Sequence, residues 1–170
     1  SYVKTDADKG IVAIIEDDVE IREGLKRFFD KLPDYLCEQS FERVEDFLPI
    51  INAEQFPDIL LLDIGLPGMS GLQGIKLIKG KSPEIEIIML TVYDNHDMIF
   101  QALCNGASGY LLKNTPLVKV KEAIETLLHG GAPMSPEIAR KVIDFFHPKK
   151  KQEAKQSPLT EKEKEVVIAL

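Results

Sequence analysis

Four apolar runs in this chain end in residues able to do phosphoryl or metal chemistry. Glu16-Asp17-Asp18 follows Ile11–Ile15, Asp63 follows Ile59–Leu62, Thr91 follows Ile85–Leu90, and Lys113 follows Gly109–Leu112. If the runs are neighbouring parallel strands, their carboxyl ends meet at one sheet edge, where open α/β folds bind ligands. Three or four carboxylates, a hydroxyl and an ammonium would then share a pocket. Like charges at ~4 Å repel by about 4 kcal/mol at an effective dielectric of 20, so the cluster needs a cation or protons to persist. An all-oxygen set without His or Cys suits a hard ion, and two or three carboxylates with open water positions suit Mg²⁺. Each residue has a plainer reading. Asp63 precedes a Pro/Gly turn and could cap backbone amides. Glu16 to Asp18 could be a helix cap with first-turn acids, Thr91 a strand end and Lys113 a surface lysine. The joint pattern favours a site.

The elements that must position these residues follow from periodicity. Runs at Ile11–Ile15, Tyr35–Glu38, Ile59–Leu62, Ile85–Leu90 and Gly109–Leu112 predict five strands. Helical spacing appears near Val19–Leu32, Val44–Ile51, Leu72–Lys79, His96–Cys104 and Leu117–Leu128. Continuous apolar runs read as strands covered on both faces, and strand–helix alternation predicts βαβ units with right-handed crossovers. The expected fold class is α/β: a doubly wound, five-stranded parallel sheet, (βα)5. Gly130-Gly131 should end the fifth helix. A sixth helix should start at Ser135-Pro136, with Ser135 as cap, and run to about Phe146 with Ile138, Val142, Ile143, Phe145 and Phe146 on its apolar face.

Composition narrows the function. The 170 residues are 44% hydrophobic and carry a net charge of −7, which argues against nucleic-acid binding by the main body. No apolar stretch is long enough to span a bilayer and no signal core opens the chain, so no membrane role and a cytoplasmic location are expected. Cys37 and Cys104 lack metal or redox spacing and are expected to be reduced, buried thiols. The basic, proline-flanked stretch His147–Pro158 reads as a solvated tether. Thr160-Glu-Lys-Glu163 has capping-box spacing before Val166-Val167-Ile168. The chain stops at Leu170 inside that pattern, as a fragment of a longer protein would.

Ile14-Ile15-Glu16-Asp17-Asp18, Leu61-Leu62-Asp63-Ile-Gly-Leu-Pro67-Gly-Met-Ser-Gly71, Leu90-Thr91 and Gly106-Ala-Ser-Gly-Tyr110-Leu-Leu-Lys113 resemble, in order and spacing, the signatures of bacterial response-regulator receiver domains. The resemblance covers about residues 10–130 and implies a flavodoxin-like strand order, 2-1-3-4-5. It implies that Asp63 accepts a phosphoryl group from a sensor histidine kinase, with Mg²⁺ held by Glu16, Asp17, Asp63 and the Gly65 carbonyl. Asp18 is then a neighbour at the helix start, Thr91 and Lys113 contact the acyl phosphate, and Thr91 and Tyr110 form the switch. Two departures stand out. Gly65 leaves no side chain where the family often tunes hydrolysis, predicting an unshielded acceptor. Val92 replaces a small residue, predicting narrower access and altered phosphorylation rates.

Gly130 to Ile143 resembles the linker helix of the NarL/FixJ class, and Pro158 to Val167 resembles the opening of a LuxR-type helix-turn-helix. The expected organisation is a disordered tail at 1–9, a receiver at 10–131, a linker helix and tether at 132–157, and a DNA-binding fragment at 158–170. DNA is then contacted only through a full-length parent that regulates transcription. The helix at 135–146 offers a surface for a homodimer formed on phosphorylation, or for a tethered domain. Two other readings accommodate the same residues: a degenerate receiver acting as an interaction module, and a Mg²⁺-dependent aspartyl phosphohydrolase. The latter generally wants a second acid where Gly65 stands. The chain is expected not to be a turnover enzyme.

Overall fold

The computed structural model describes residues 8–147. The tail at 1–7 and everything from 148 onward, including the tether and the helix-turn-helix opening, lie outside the described residues. Within them the chain alternates β1 (Gly10–Ile15), α1 (Val19–Asp30), β2 (Tyr35–Phe41), α2 (Val44–Phe47), β3 (Ile59–Leu62), α3 (Gly71–Lys81), β4 (Glu86–Thr91), α4 (His96–Asn105), β5 (Gly109–Leu112), α5 (Leu117–Leu128) and α6 (Pro136–Phe145). The sheet is parallel throughout, with order β2-β1-β3-β4-β5.

Alternation along the strands builds two cores. Val12, Ile14, Ile59, Leu61, Ile88, Leu90 and Leu111 pack against Leu25 and Phe29 of α1 and against Val120, Ile124 and Leu127 of α5. Ala13, Ile15, Leu60, Leu62, Ile87, Met89 and Tyr110 face α2, α3 and α4, where Phe47, Ile75, Ile78 and Ile99 are fully buried. Both faces are covered, which is why the strands read as unbroken apolar runs.

Several boundaries differ from expectation. Strand β2 runs on to Phe41, because Phe41 pairs with Ile15 and stacks near Phe47. Helix α2 is only Val44–Phe47, followed by a 3₁₀ turn at Leu48–Ile50 that contains Pro49. Proline has no N–H to continue an α-helical ladder. Cys37 is buried, and burial pushes its thiol up to about 12. Cys104 is exposed, contrary to expectation. It lies two residues past buried Ala102 on α4, about 200° round the helix.

Helix α5 ends at Leu128 and the chain turns away at Gly130, whose φ of +90° suits a residue without Cβ. The next segment extends the sheet. Tyr110 N–H donates to the Pro133 carbonyl at 2.9 Å, Ser135 N–H donates to the Tyr110 carbonyl at 3.0 Å, and Met134 bridges Tyr110 in parallel. Ser135 precedes α6 as expected, but its hydroxyl makes no helix-cap bond and instead accepts Leu112 N–H at 2.9 Å. The apolar face expected on α6 is also only partly used. Ile138 is fully buried and Val142 packs on the core, whereas Ile143, Phe145 and Phe146 remain exposed.

Candidate functional site

Strand ends set the site. Asp63 N–H donates to the Ile15 carbonyl at 3.1 Å, and Lys113 N–H donates to the Thr91 carbonyl at 2.9 Å, so the residues after β1, β3, β4 and β5 share one rim. The helix that follows β3 must approach closely. A Cβ at Gly71 would lie 1.9 Å from the Asp63 carbonyl oxygen, so only glycine can begin α3 there.

Lys113 is the electrostatic centre. Its Nζ lies 2.6 Å from Glu16 Oε1 and 2.7 Å from Asp63 Oδ2. Asp63 Oδ1 accepts Ile64 N–H at 2.7 Å. Both acids are buried, at 3% exposure for Glu16 and 4% for Asp63. One ammonium between two buried carboxylates leaves the group a negative charge in excess. Burial, chiefly, together with the Asp63 charge, pushes Glu16 up to about 7, against the downward pull of Lys113. Burial pulls the Lys113 ammonium down, but its bonds to Asp63 and Glu16 outweigh this, and the net direction is upward.

Asp17 joins them at the exposed side: ligand atoms of Glu16, Asp17 and Asp63 all lie within 4.8 Å of one another. Glu16 Oε2 is buried without a hydrogen-bond partner. An orphaned buried carboxylate oxygen beside two further carboxylates fits a hard divalent cation, and the all-oxygen donors fit Mg²⁺. Asp18 stands apart from this set. It caps α1, its side chain accepting the N–H groups of Glu20 at 2.9 Å and Ile21 at 3.2 Å.

Thr91 is fully buried, and its Oγ1 accepts a long 3.5 Å contact from Tyr93 N–H. Tyr110 is also fully buried and donates its hydroxyl to the Tyr93 carbonyl at 2.6 Å. Burial holds that phenol above its ordinary range. Glu16, Asp17, Asp63 and Lys113 therefore meet on one rim, with Thr91 at the adjoining strand end and Tyr110 opposite Met89, two residues behind Thr91.

Two contributors escaped the sequence reading. Tyr93 lays its ring against Gly65, with ring atoms 3.1 Å from where a Cβ at residue 65 would stand. Asp63 is thus not left unshielded: it is buried, and an aromatic from the neighbouring loop packs beside the space that Gly65 leaves. Tyr93 rather than Val92 provides this cover, since Val92 is 65% exposed. Arg22 donates from Nη1 to the Glu16 carbonyl at 2.6 Å and ties α1 to the acidic turn. The Tyr93–Gly65 contact joins loops 28 positions apart, for which a glycine two past Asp63 with a tyrosine two past Thr91 is the available signal, whereas Arg22 reaches back only six positions.

The family described as the response regulator receiver domain matches residues 12–125. Transcriptional regulatory protein YdfI of Bacillus subtilis is 31% identical over 159 residues, covering 94% of this chain and 74% of YdfI. Oxygen regulatory protein NreC of Staphylococcus carnosus is 28% identical over 137 residues, covering 79% of this chain and 62% of NreC. A LuxR-family two-component response regulator from Aurantimonas sp. superposes with a TM-score of 0.73 at 26% identity, over 80% of this chain and 96% of that one.

Proposed function

The chain belongs to the response-regulator receiver family, and we propose that Asp63 accepts a phosphoryl group from a sensor histidine kinase and thereby controls transcription by an attached DNA-binding domain. One observation carries the reading: a buried Asp63 bonded to Lys113, with Glu16 and Asp17 alongside. In the transfer, an Asp63 carboxylate oxygen forms a bond to phosphorus as the phosphorus–nitrogen bond of a phosphohistidine breaks, and the imidazole nitrogen keeps the electron pair. Lys113 sits where it can neutralise a phosphoryl oxygen. Glu16, Asp17, Asp63 and the Gly65 carbonyl would hold Mg²⁺, which supplies further positive charge to the transferring group. Thr91 is placed to donate its hydroxyl to the new dianion, and a moved Thr91 alters the loop above Tyr110.

Slow self-hydrolysis, rather than turnover of an outside substrate, fits the family, whose relatives here are named as transcriptional regulators. No helix among the described residues is long and apolar enough to cross a membrane. The test is intact mass after incubation with acetyl phosphate and Mg²⁺. A single labile phosphoryl adduct, lost in Asp63→Asn, is expected. Multiple-turnover hydrolysis would point instead to a phosphohydrolase, and absence of an adduct to a module that only binds partners.

A further inference from the structure

The last residue of β4 and the loop to α4, residues 91–95, are bonded on both sides. On one side Thr91 lies at the phosphoacceptor rim and the Tyr93 ring covers Gly65. On the other, Lys141 of α6 donates from Nζ to the Asp94 carbonyl at 2.6 Å and lies 3.3 Å from Asp94 Oδ2. The same few residues therefore touch the site and the helix that leads out of the domain.

Helix α6 is held unequally along its length. Its beginning is anchored in the fold: the Pro133 carbonyl and Ser135 hydroxyl bond β5, and Ile138 is fully buried. Its end rests on the surface. The Phe145 ring lies 4.0 Å from Phe100 of α4, with Phe146 at 5.9 Å from the same ring, yet Phe145 is 40% and Phe146 67% exposed. The Lys141–Asp94 pair is half exposed as well. A surface ion pair and a partly covered aromatic cluster are weak individually, so a modest shift of the loop suffices to break them.

We propose that Lys141 and Asp94 form a latch that docks the far end of α6 on α4, and that phosphoryl transfer to Asp63 opens it. The inference rests on the phosphoacceptor reading of Asp63. A dianion at Asp63 draws the Thr91 hydroxyl inward, and the loop carries the Asp94 carbonyl away from Lys141. Loss of that charge-assisted bond frees Phe145 and Phe146, while Ser135 and Ile138 keep the root of the helix in place. The linker then swings from a fixed pivot. Because coupling between sites is reciprocal, opening the latch by mutation must favour occupation of the Asp63 site by the same factor.

Hydrogen exchange on the 170-residue chain tests this, read alongside intact mass. With acetyl phosphate and Mg²⁺, amides of residues 141–145 should exchange about fivefold faster or more, a coupling of ordinary allosteric size, while those of 135–138 change less. Lys141→Met should show the same acceleration without phosphorylation, and Lys141→Arg should restore slow exchange. Lys141→Met should also bind beryllofluoride, a phosphoryl mimic, more tightly by a matching factor. A phosphoryl adduct with unchanged α6 exchange overturns the latch and leaves Asp63 as acceptor. The same holds if Lys141→Met leaves both exchange and beryllofluoride affinity as in the parent chain. No adduct at all overturns both readings, and the mass measurement tells the two failures apart.

Discussion

Glu16 and Asp63 compete for a single ammonium in a buried place, and that competition makes the site pH-sensitive. The folded state holds a proton on Glu16 up to about 7, well above the usual carboxyl range. A raised carboxyl pKa means that the folded chain binds more protons than the unfolded one, so the contribution of Glu16 to stability falls as pH rises from about 4.5 to 7. A bound cation needs the carboxylate free, so Mg²⁺ should raise the melting temperature more at pH 8 than at pH 6; equal shifts would contradict the assignment. Lys113→Met removes the shared cation and should destabilise the chain by about 1–3 kcal/mol at pH 8. The loss should shrink near pH 5, where Glu16 is protonated, as a denaturant titration at both values would reveal. Tyr93→Ala uncovers the space beside Gly65, and the acyl phosphate should then decay faster, measured by following the adduct over time. These acids, Thr91 and Lys113 were legible because strand-end position needs only local pattern. Tyr93 was not, because its ring crosses between loops that follow different strands.

The elements were legible in proportion to how fully they are buried. Strands β1, β3, β4 and β5 lie between two helical layers, so their apolar runs are continuous and nearly self-delimiting. Edge strand β2 is less covered and its end was misplaced. Helix α6 was found by its cap pattern and period, but which of its apolar residues are buried depends on α4 and β5, which no local pattern encodes. The role of Ser135 likewise turned on a β5 amide 23 positions away. Two predictions belong to this scale. Gly71→Ala would drive a methyl into the Asp63 carbonyl, costing roughly 1–3 kcal/mol or more and disturbing the acceptor; a melting curve reads the first effect and adduct yield the second. Asp18→Ala removes two bonds to the first turn of α1 and should cost about 1 kcal/mol. Phosphorylation should survive that change, since Asp18 caps the helix and the neighbouring acids form the site.

At the scale of the whole molecule, the segment after α5 is woven into the fold that it follows. Helix α6 covers part of α4 in the described state, so a homodimer using that face would require the helix to move. Light scattering of the chain with and without beryllofluoride should show mass rising only in the liganded sample if phosphorylation drives dimer formation; an unchanged mass retires the dimer. The bridging of Tyr110 by Pro133, Met134 and Ser135 has a separate, practical consequence. A domain cut at 131, where the receiver pattern ends, would strip the last rung from β5 and leave its amides and carbonyls facing water as an open template for another chain. Such a piece should be sticky and poorly folded, whereas one carried through residue 147 should stay monodisperse at the same concentration. Residues 133–135 thus complete the sheet edge that β5 would otherwise leave bare.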